Sequence, residues 1–275
     1  TEDFNYSTGT LLTASGWTAS SGTGTNNLVV NSSGLTYSGS PSSGVGFGVS
    51  MTNTGQDVVK TFTAVTSGGI YTSFFVNVSA AQATGDYFTG LMTGTAGGPA
   101  FALRVYIKST AGGYFFGASK GGGTIVYEST VRNFGTTYLI VGKYLYNTGN
   151  TTDDEVSIWV DPSLGGAEGA ATFTAGVGST DASAAGITGS FIRQGSATAA
   201  STQEIDGIRA GVTWSAVTPS SSLPSLSVSQ NSLTFGSQTV STQSGSQNFN
   251  LSGSNLTGAP GNITVTAPST DFQVS

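Results

Sequence analysis

The chain has 275 residues but a mass of only 27.6 kDa, because 41 are Gly and 81 are Ser or Thr. Only 8% are charged, where soluble domains average about 25%, yet 37% are hydrophobic and the net charge is just −6, which excludes a disordered polyelectrolyte. Eight Lys or Arg and a pI near 4.3 exclude a nucleic-acid surface, and the absence of His and Cys excludes Ser–His–Asp and Cys–His nucleophiles, thiolate or imidazole metal sites and disulfides.

Hydrophobic periodicity is two almost throughout, so the elements expected in chain order are strands. Short ones are predicted at 28–30, 45–49 and 58–64. Residues 70–78 are apolar on much of both faces and are expected to lie centrally. After 87–92 comes Phe101–Lys108, with Phe101, Leu103, Val105 and Ile107 on the buried face and Ala102, Arg104, Tyr106 and Lys108 opposite. Ala111-Gly112-Gly113 turns that strand into a hairpin with 114–117. Strands at 124–127 and 138–146 follow, the latter again central. In 155–160, Val156, Ile158 and Val160 share one face and Trp159 takes the other. Strands at 171–173, 191–193 and 205–214 complete the series, and Ala182–Ala185 offers at most one helical turn before Gly186. About a dozen strands joined by Gly/Ser turns predict an all-β, antiparallel two-sheet jelly-roll sandwich over residues 1–218.

Thr218-Pro219-Ser220-Ser221-Ser222-Leu223-Pro224 reads as a domain boundary, with 219–224 the linker. Residues 225–275 hold one charge, Asp271, and short strands are expected at 226–228, 233–235, 249–251, 263–265 and 272–274. That spacing is immunoglobulin-like, but the length is about half of such a sandwich. The polypeptide is therefore expected to continue past Ser275, or a neighbour to complete the module by self-association. No run of 18 apolar residues predicts a membrane span. The start at Thr1-Glu2-Asp3, without Met, and the low charge lead us to expect an exported, extracellular or cell-surface protein.

Several segments resemble the laminin-G/concanavalin A-like jelly rolls of large exported bacterial surface proteins. They are Tyr87–Met92, Phe101–Lys108, Tyr138-Leu139-Ile140-Val141-Gly142-Lys143-Tyr144, Val156-Ser157-Ile158-Trp159-Val160-Asp161-Pro162 and Ile205-Asp206-Gly207-Ile208-Arg209. The tail, through Leu226-Ser227-Val228 and Phe249-Asn250-Leu251, resembles the immunoglobulin-like modules that often follow them. The resemblance implies fold and location far more than activity. It also implies that the first and closing strands pair, so that Glu2, Asp3 and Asp206 could hold a structural calcium ion, a hard cation taking six to eight oxygens. The plainer reading of these acids is solvated edge charge.

The acidic run Asp153-Asp154-Glu155 offers ion ligands or sugar-hydroxyl acceptors, against the plain reading of a soluble loop. Aromatic platforms for a polysaccharide or surface glycan are expected at Tyr106, Tyr144 and Trp159, with Tyr114 and Tyr146 behind them, although each aromatic is more often core than platform. Glycoside hydrolysis needs a close carboxylate pair. The Glu-x-Asp-x-x-Glu pattern of sandwich-fold glucanases is missing. The sequence therefore predicts a non-enzymatic surface module for adhesion or polysaccharide binding, a fibre or layer subunit as the alternative, and a hydrolase or lyase last.

Overall fold

A computed structural model describes residues 1–176, 178–221, 225–230, 232–254 and 266. They divide between two units, Thr1–Ser220 and Ser221–Ser275.

The first unit is built from two antiparallel sheets, as the two-residue period requires. The seven-stranded sheet runs, edge to edge, β1 (Thr18–Ser21), β3 (Asp57–Val65), β12 (Ile187–Ile192), β5 (Asp86–Thr95), β6 (Gly98–Thr110), β7 (Gly113–Lys120) and β8 (Val126–Tyr127). The six-stranded sheet runs β11 (Phe173–Ala175), β10 (Glu155–Val160), β9 (Thr137–Leu145), β4 (Gly69–Ala80), β13 (Thr202–Gly211) and β2 (Val49–Met51). Both expected central strands, β4 and β9, are neighbours in the middle of this sheet, where both faces are buried. The facing sides form one apolar core. Phe88, Leu103, Val105, Ile107 and Phe116 come from the first sheet, and Phe74, Val76, Ile140, Ile158 and Ile205 from the second. This is the expected jelly-roll-like sandwich.

Four local expectations change. The β5–β6 register shifts between Leu91↔Leu103 and Met92↔Phe101, so the alternation slips there. Ala102 joins the core, and Phe101 turns to the outer face against Phe191. A bulge of this kind places an extra residue on one strand and is invisible to a period-two reading. The closing strand ends at Gly211, and Trp214 instead opens a one-turn helix, α1 (Trp214–Val217), capped by the Thr213 hydroxyl accepting from Ala216 N at 3.3 Å. Ala182–Ala185 contains no helix, and of 28–30 only Val29 and Val30 pair, as isolated bridges.

In the second unit β14 (Ser225–Val228) pairs antiparallel with β15 (Leu251–Ser254). Leu233–Phe235 is irregular, and the expected strands at 263–265 and 272–274 lie outside the described residues. Among the described residues no helix is long and apolar enough to cross a membrane.

Candidate functional site

The outer face of the six-stranded sheet is covered. Leu35, Tyr71, Phe75, Leu139, Val141, Trp159, Trp214 and Val217 form a second apolar cluster there. α1 supplies Trp214 and Val217, and the 161–172 loop is pinned down at Glu168, which accepts from Tyr71 Oη at 2.6 Å and Lys143 Nζ at 2.8 Å.

The outer face of the seven-stranded sheet carries different chemistry. Across β5, β6, β7 and β8 it presents Tyr87, Arg104, Tyr106, Lys108, Ser119 and Tyr127. The Arg104 guanidinium lies 4.7 Å from the Tyr87 ring centroid and that of Arg193 4.1 Å from it. Asp86 holds Arg193 at 2.9 Å, and the Tyr87 carbonyl accepts from the same nitrogen at 3.0 Å. Tyr106 Oη and Ser119 Oγ share a hydrogen bond of 3.1 Å. Lys108 Nζ sits 5.3 Å from the Tyr127 ring. That ring lies over Gly117, where a Cβ would come within 2.6 Å of it, so glycine is what lets Tyr127 lie down on the strand. Burial raises the Tyr87 and Tyr127 hydroxyls above the ordinary tyrosine range, against the lowering pull of Arg193 and Arg104 at Tyr87.

Charge is distributed unevenly. Lys60, Lys120, Arg132, Lys143 and Arg193 are each paired with a carboxylate. Among the described residues Arg104, Lys108 and Arg209 are the cations without such a pair. Arg209 donates to Ser42 Oγ at 2.7 Å. Arg104 and Lys108 stand on the same face of β6, and Arg104 Nε is buried with no hydrogen-bond partner. In a chain of net charge −6, two cations without a carboxylate partner thus bracket Tyr106 on one side of β6. The face offers no glycosidase pair, since Asp86 is already bound to Arg193.

The residues expected from sequence are dispersed. Tyr106 is on the face just described but is no exposed platform: it is buried, its ring against Tyr87 and its hydroxyl bonded to Ser119. Tyr144 is no outward platform: it is wholly buried, its hydroxyl donating to Asp154 Oδ2 at 2.7 Å and accepting from Ala182 N at 2.6 Å. Trp159 does oppose Val156 and Ile158, but lies covered against Trp214, ring centroids 5.0 Å apart. Asp153, Asp154 and Asp181 bring oxygens within 4.8 Å of one another. The buried Lys120 ammonium already bonds Asp181 Oδ1 at 2.5 Å and the Asp154 carbonyl at 2.8 Å, so the cluster anchors loops.

The calcium trio also separates. Glu2 is buried and committed to Lys60, Tyr6, Trp17 and the Phe4 amide, and is removed from the set. Asp206 is wholly buried; its oxygens accept from Leu35 N at 2.8 Å and Gly207 N at 2.6 Å. Burial pushes its carboxyl up to about 7, with Asp3 and Glu204 adding repulsion of the same sign. Asp3 Oδ1 and Glu204 Oε1 are buried without a partner. Asp3, Asp206 and Glu204 do not bring three carboxylate oxygens within 4.8 Å of one another, the spacing that Asp153, Asp154 and Asp181 reach.

Asp86, Tyr87, Tyr127 and Arg193 were missed from sequence, because only the register brings them beside Arg104. Alternation along β6 was the available signal, and it did set Arg104, Tyr106 and Lys108 on one face.

No protein-family model matches the chain, and no curated protein matches it. Solved structures do resemble it. Alginate lyase Aly36B, in complex with an alginate trisaccharide, aligns at a TM-score of 0.46 and 18% identity over 76% of this chain and 95% of the lyase. Endo-β-1,4-glucuronan lyase from the fungus Trichoderma reesei aligns at 0.42 and 11%, over 73% and 96%. The cellulose induced protein Cip1 aligns at 0.46 and 17%, over 77% and 96%. The class defined is a two-sheet, jelly-roll-like sandwich. The expectation of a non-enzymatic adhesion module is corrected here, because lyases stand among the structures that share this sandwich. At such identities the likeness is one of fold, and the chemistry rests on the face itself.

Proposed function

We propose that the outer face of the seven-stranded sheet binds an anionic polysaccharide and cleaves it by β-elimination at a uronate residue. The observation that carries this reading is Arg104: a guanidinium with no carboxylate partner and a buried, unpartnered Nε, set among tyrosines on the outer side of β6. A planar guanidinium matches a sugar carboxylate in a bidentate fork. Neutralising that carboxylate acidifies the proton on the adjacent ring carbon. In a chain without histidine the base on this face is Tyr106, acting as its phenolate two residues along the same strand side, while Lys108 remains a cation. As the proton leaves, its electron pair forms the carbon–carbon double bond and the neighbouring carbon–oxygen bond breaks. Tyr87, whose hydroxyl is protonated at neutral pH as any tyrosine's is, supplies the proton to the departing oxygen. No water is consumed.

The test is incubation with polymannuronate, polyguluronate, polygalacturonate and glucuronan, following the ultraviolet absorbance of the new double bond alongside reducing ends. One or more substrates should yield both signals in step, and Arg104→Ala should lose both. Reducing ends without absorbance, or no product from any polyuronate, would overturn the elimination step.

Three expectations from sequence continue as part of this proposal. The low charge supports an extracellular setting, where such polymers are met. The unpartnered oxygens of Asp3 and Glu204, and the repulsion both exert on buried Asp206, support a structural calcium ion that would draw these acids together. The β14–β15 ribbon supports reading the second unit as the start of an immunoglobulin-like module.

A further inference from the structure

The covered side of the first unit holds a second concavity, of about 330 Å³, on the outside of the six-stranded sheet. That is the lower end of the range, about 300–1,000 Å³, spanned by small-ligand pockets. Trp159, Trp214, Asp161, Ser163, Ala170 and Thr172 are among its lining residues. The chain has three tryptophans, and their indole N–H groups differ. Trp17 donates to Glu2 at 3.2 Å and Trp159 to the Gly169 carbonyl at 2.9 Å. Trp214 is only 7% exposed, and its Nε1 is buried with no acceptor. A donor removed from water and left unpaired forfeits its solvation, so the one orphaned indole N–H belongs to a residue that lines a cavity.

We infer that this cavity is a binding site for an uncharged pyranose, distinct from the anion-binding face on the other sheet. Trp159 and Trp214, inclined at 64°, form one wall of the cavity. The Trp214 N–H needs a hydroxyl or ring oxygen as acceptor. The only charged residue in the lining is Asp161, whose Oδ1 accepts from the Leu139 amide at 3.0 Å. Its carboxylate repels uronates and can accept from neutral hydroxyls, which is why the preference is opposite to that of the Arg104 face.

The experiment is titration of the whole chain, 15N-labelled at its indoles, with cellotriose, xylotriose, maltotriose and mannotriose, and in parallel with a uronate trimer, each at about 5 mM, enough to load a millimolar site. The Trp214 signal should move with at least one neutral trimer, while Trp17 stays fixed and the uronate leaves Trp214 unchanged. Trp214→Phe, which keeps a ring but deletes the donor, should weaken that binding about fivefold, the equivalent of one neutral hydrogen bond. Ala170→Leu, at an exposed lining position outside the core, should abolish it with the melting temperature unchanged. The inference fails if no neutral trimer moves Trp214, if the uronate moves it equally, or if Ala170→Leu binds as the parent does. None of these outcomes depends on whether the Arg104 face cleaves polyuronates.

Discussion

The two outer faces of the sandwich begin from the same strand alternation and end in opposite states. On the six-stranded sheet the outward residues are Phe75, Leu139, Val141 and Trp159, and they are buried a second time beneath α1 and the loops. On the seven-stranded sheet, β6 turns Arg104, Tyr106 and Lys108 outward, and two of these are cations without a carboxylate partner. An outward apolar residue gains by being covered. An outward guanidinium loses solvation unless its cover brings an anion. Side-chain chemistry along two strands thus decides which face is covered by apolar contacts and which keeps its cations without a carboxylate.

The largest expected effect separates the two roles. Phe75→Ala removes a ring 2% exposed, stacked on Tyr37 at 5.5 Å, and should destabilise the first unit by about 3–5 kcal/mol in a denaturant titration. Arg104→Ala should instead lower kcat/KM on a polyuronate by roughly 10²–10³-fold, the range for deleting one preorganised charge-stabilising donor, with the denaturation midpoint close to the parent's. Equal stability losses in both variants would erase the distinction between scaffold and site.

A smaller effect concerns Asp206. Its carboxyl titrates near 7 in the folded chain and near 3.8 unfolded, so between those values the folded state keeps a proton that the unfolded state has lost. Its contribution to stability is therefore greatest at low pH and declines as pH rises to about 7. In EDTA the melting temperature should fall between about pH 4 and pH 7, and Asp206→Asn should flatten the fall. Calcium, by binding the ionised carboxylates, should restore the loss at the alkaline end. A rise in EDTA, or indifference to calcium at pH 8, would contradict the assignment.

The smallest effect is ionic. Attraction between Arg104, Lys108 and a polyanion is screened as the Debye length shrinks from about 10 Å at 0.1 M salt to about 3 Å at 1 M. KM on a polyuronate should rise several-fold across that range. Melting temperature should hardly move, because the covered face is held by apolar contacts.

Much of the scaffold was legible because burial on alternate residues leaves a period in the sequence. The hairpin at Ala111–Gly113, the central β4 and β9 and the outward side of Trp159 follow from local pattern alone. Phe101 and Ala102 exchanged sides because a register slip is a relation between two strands. Trp214 became helical because the Thr213 cap and packing under the sheet override its neighbours' strand character. Tyr144 was misjudged as a platform because its acceptor, Asp154, arrives from a loop. The site was half visible for the same reason. Arg104, Tyr106 and Lys108 share one strand and one parity. Tyr87, Arg193 and Asp86 meet through pairing between β5 and the end of β12, over a hundred residues apart, and no local period encodes that encounter.

Lys120 has a consequence for how the molecule can be watched at work. The chain has four lysines, and this one is 1% exposed, its ammonium closed in by Asp181 and the Asp154 carbonyl. An amine-selective reagent meets it only when those loops lift away, so its modification rate becomes a clock for that one opening event, readable by mass spectrometry while the rest of the chain stays folded.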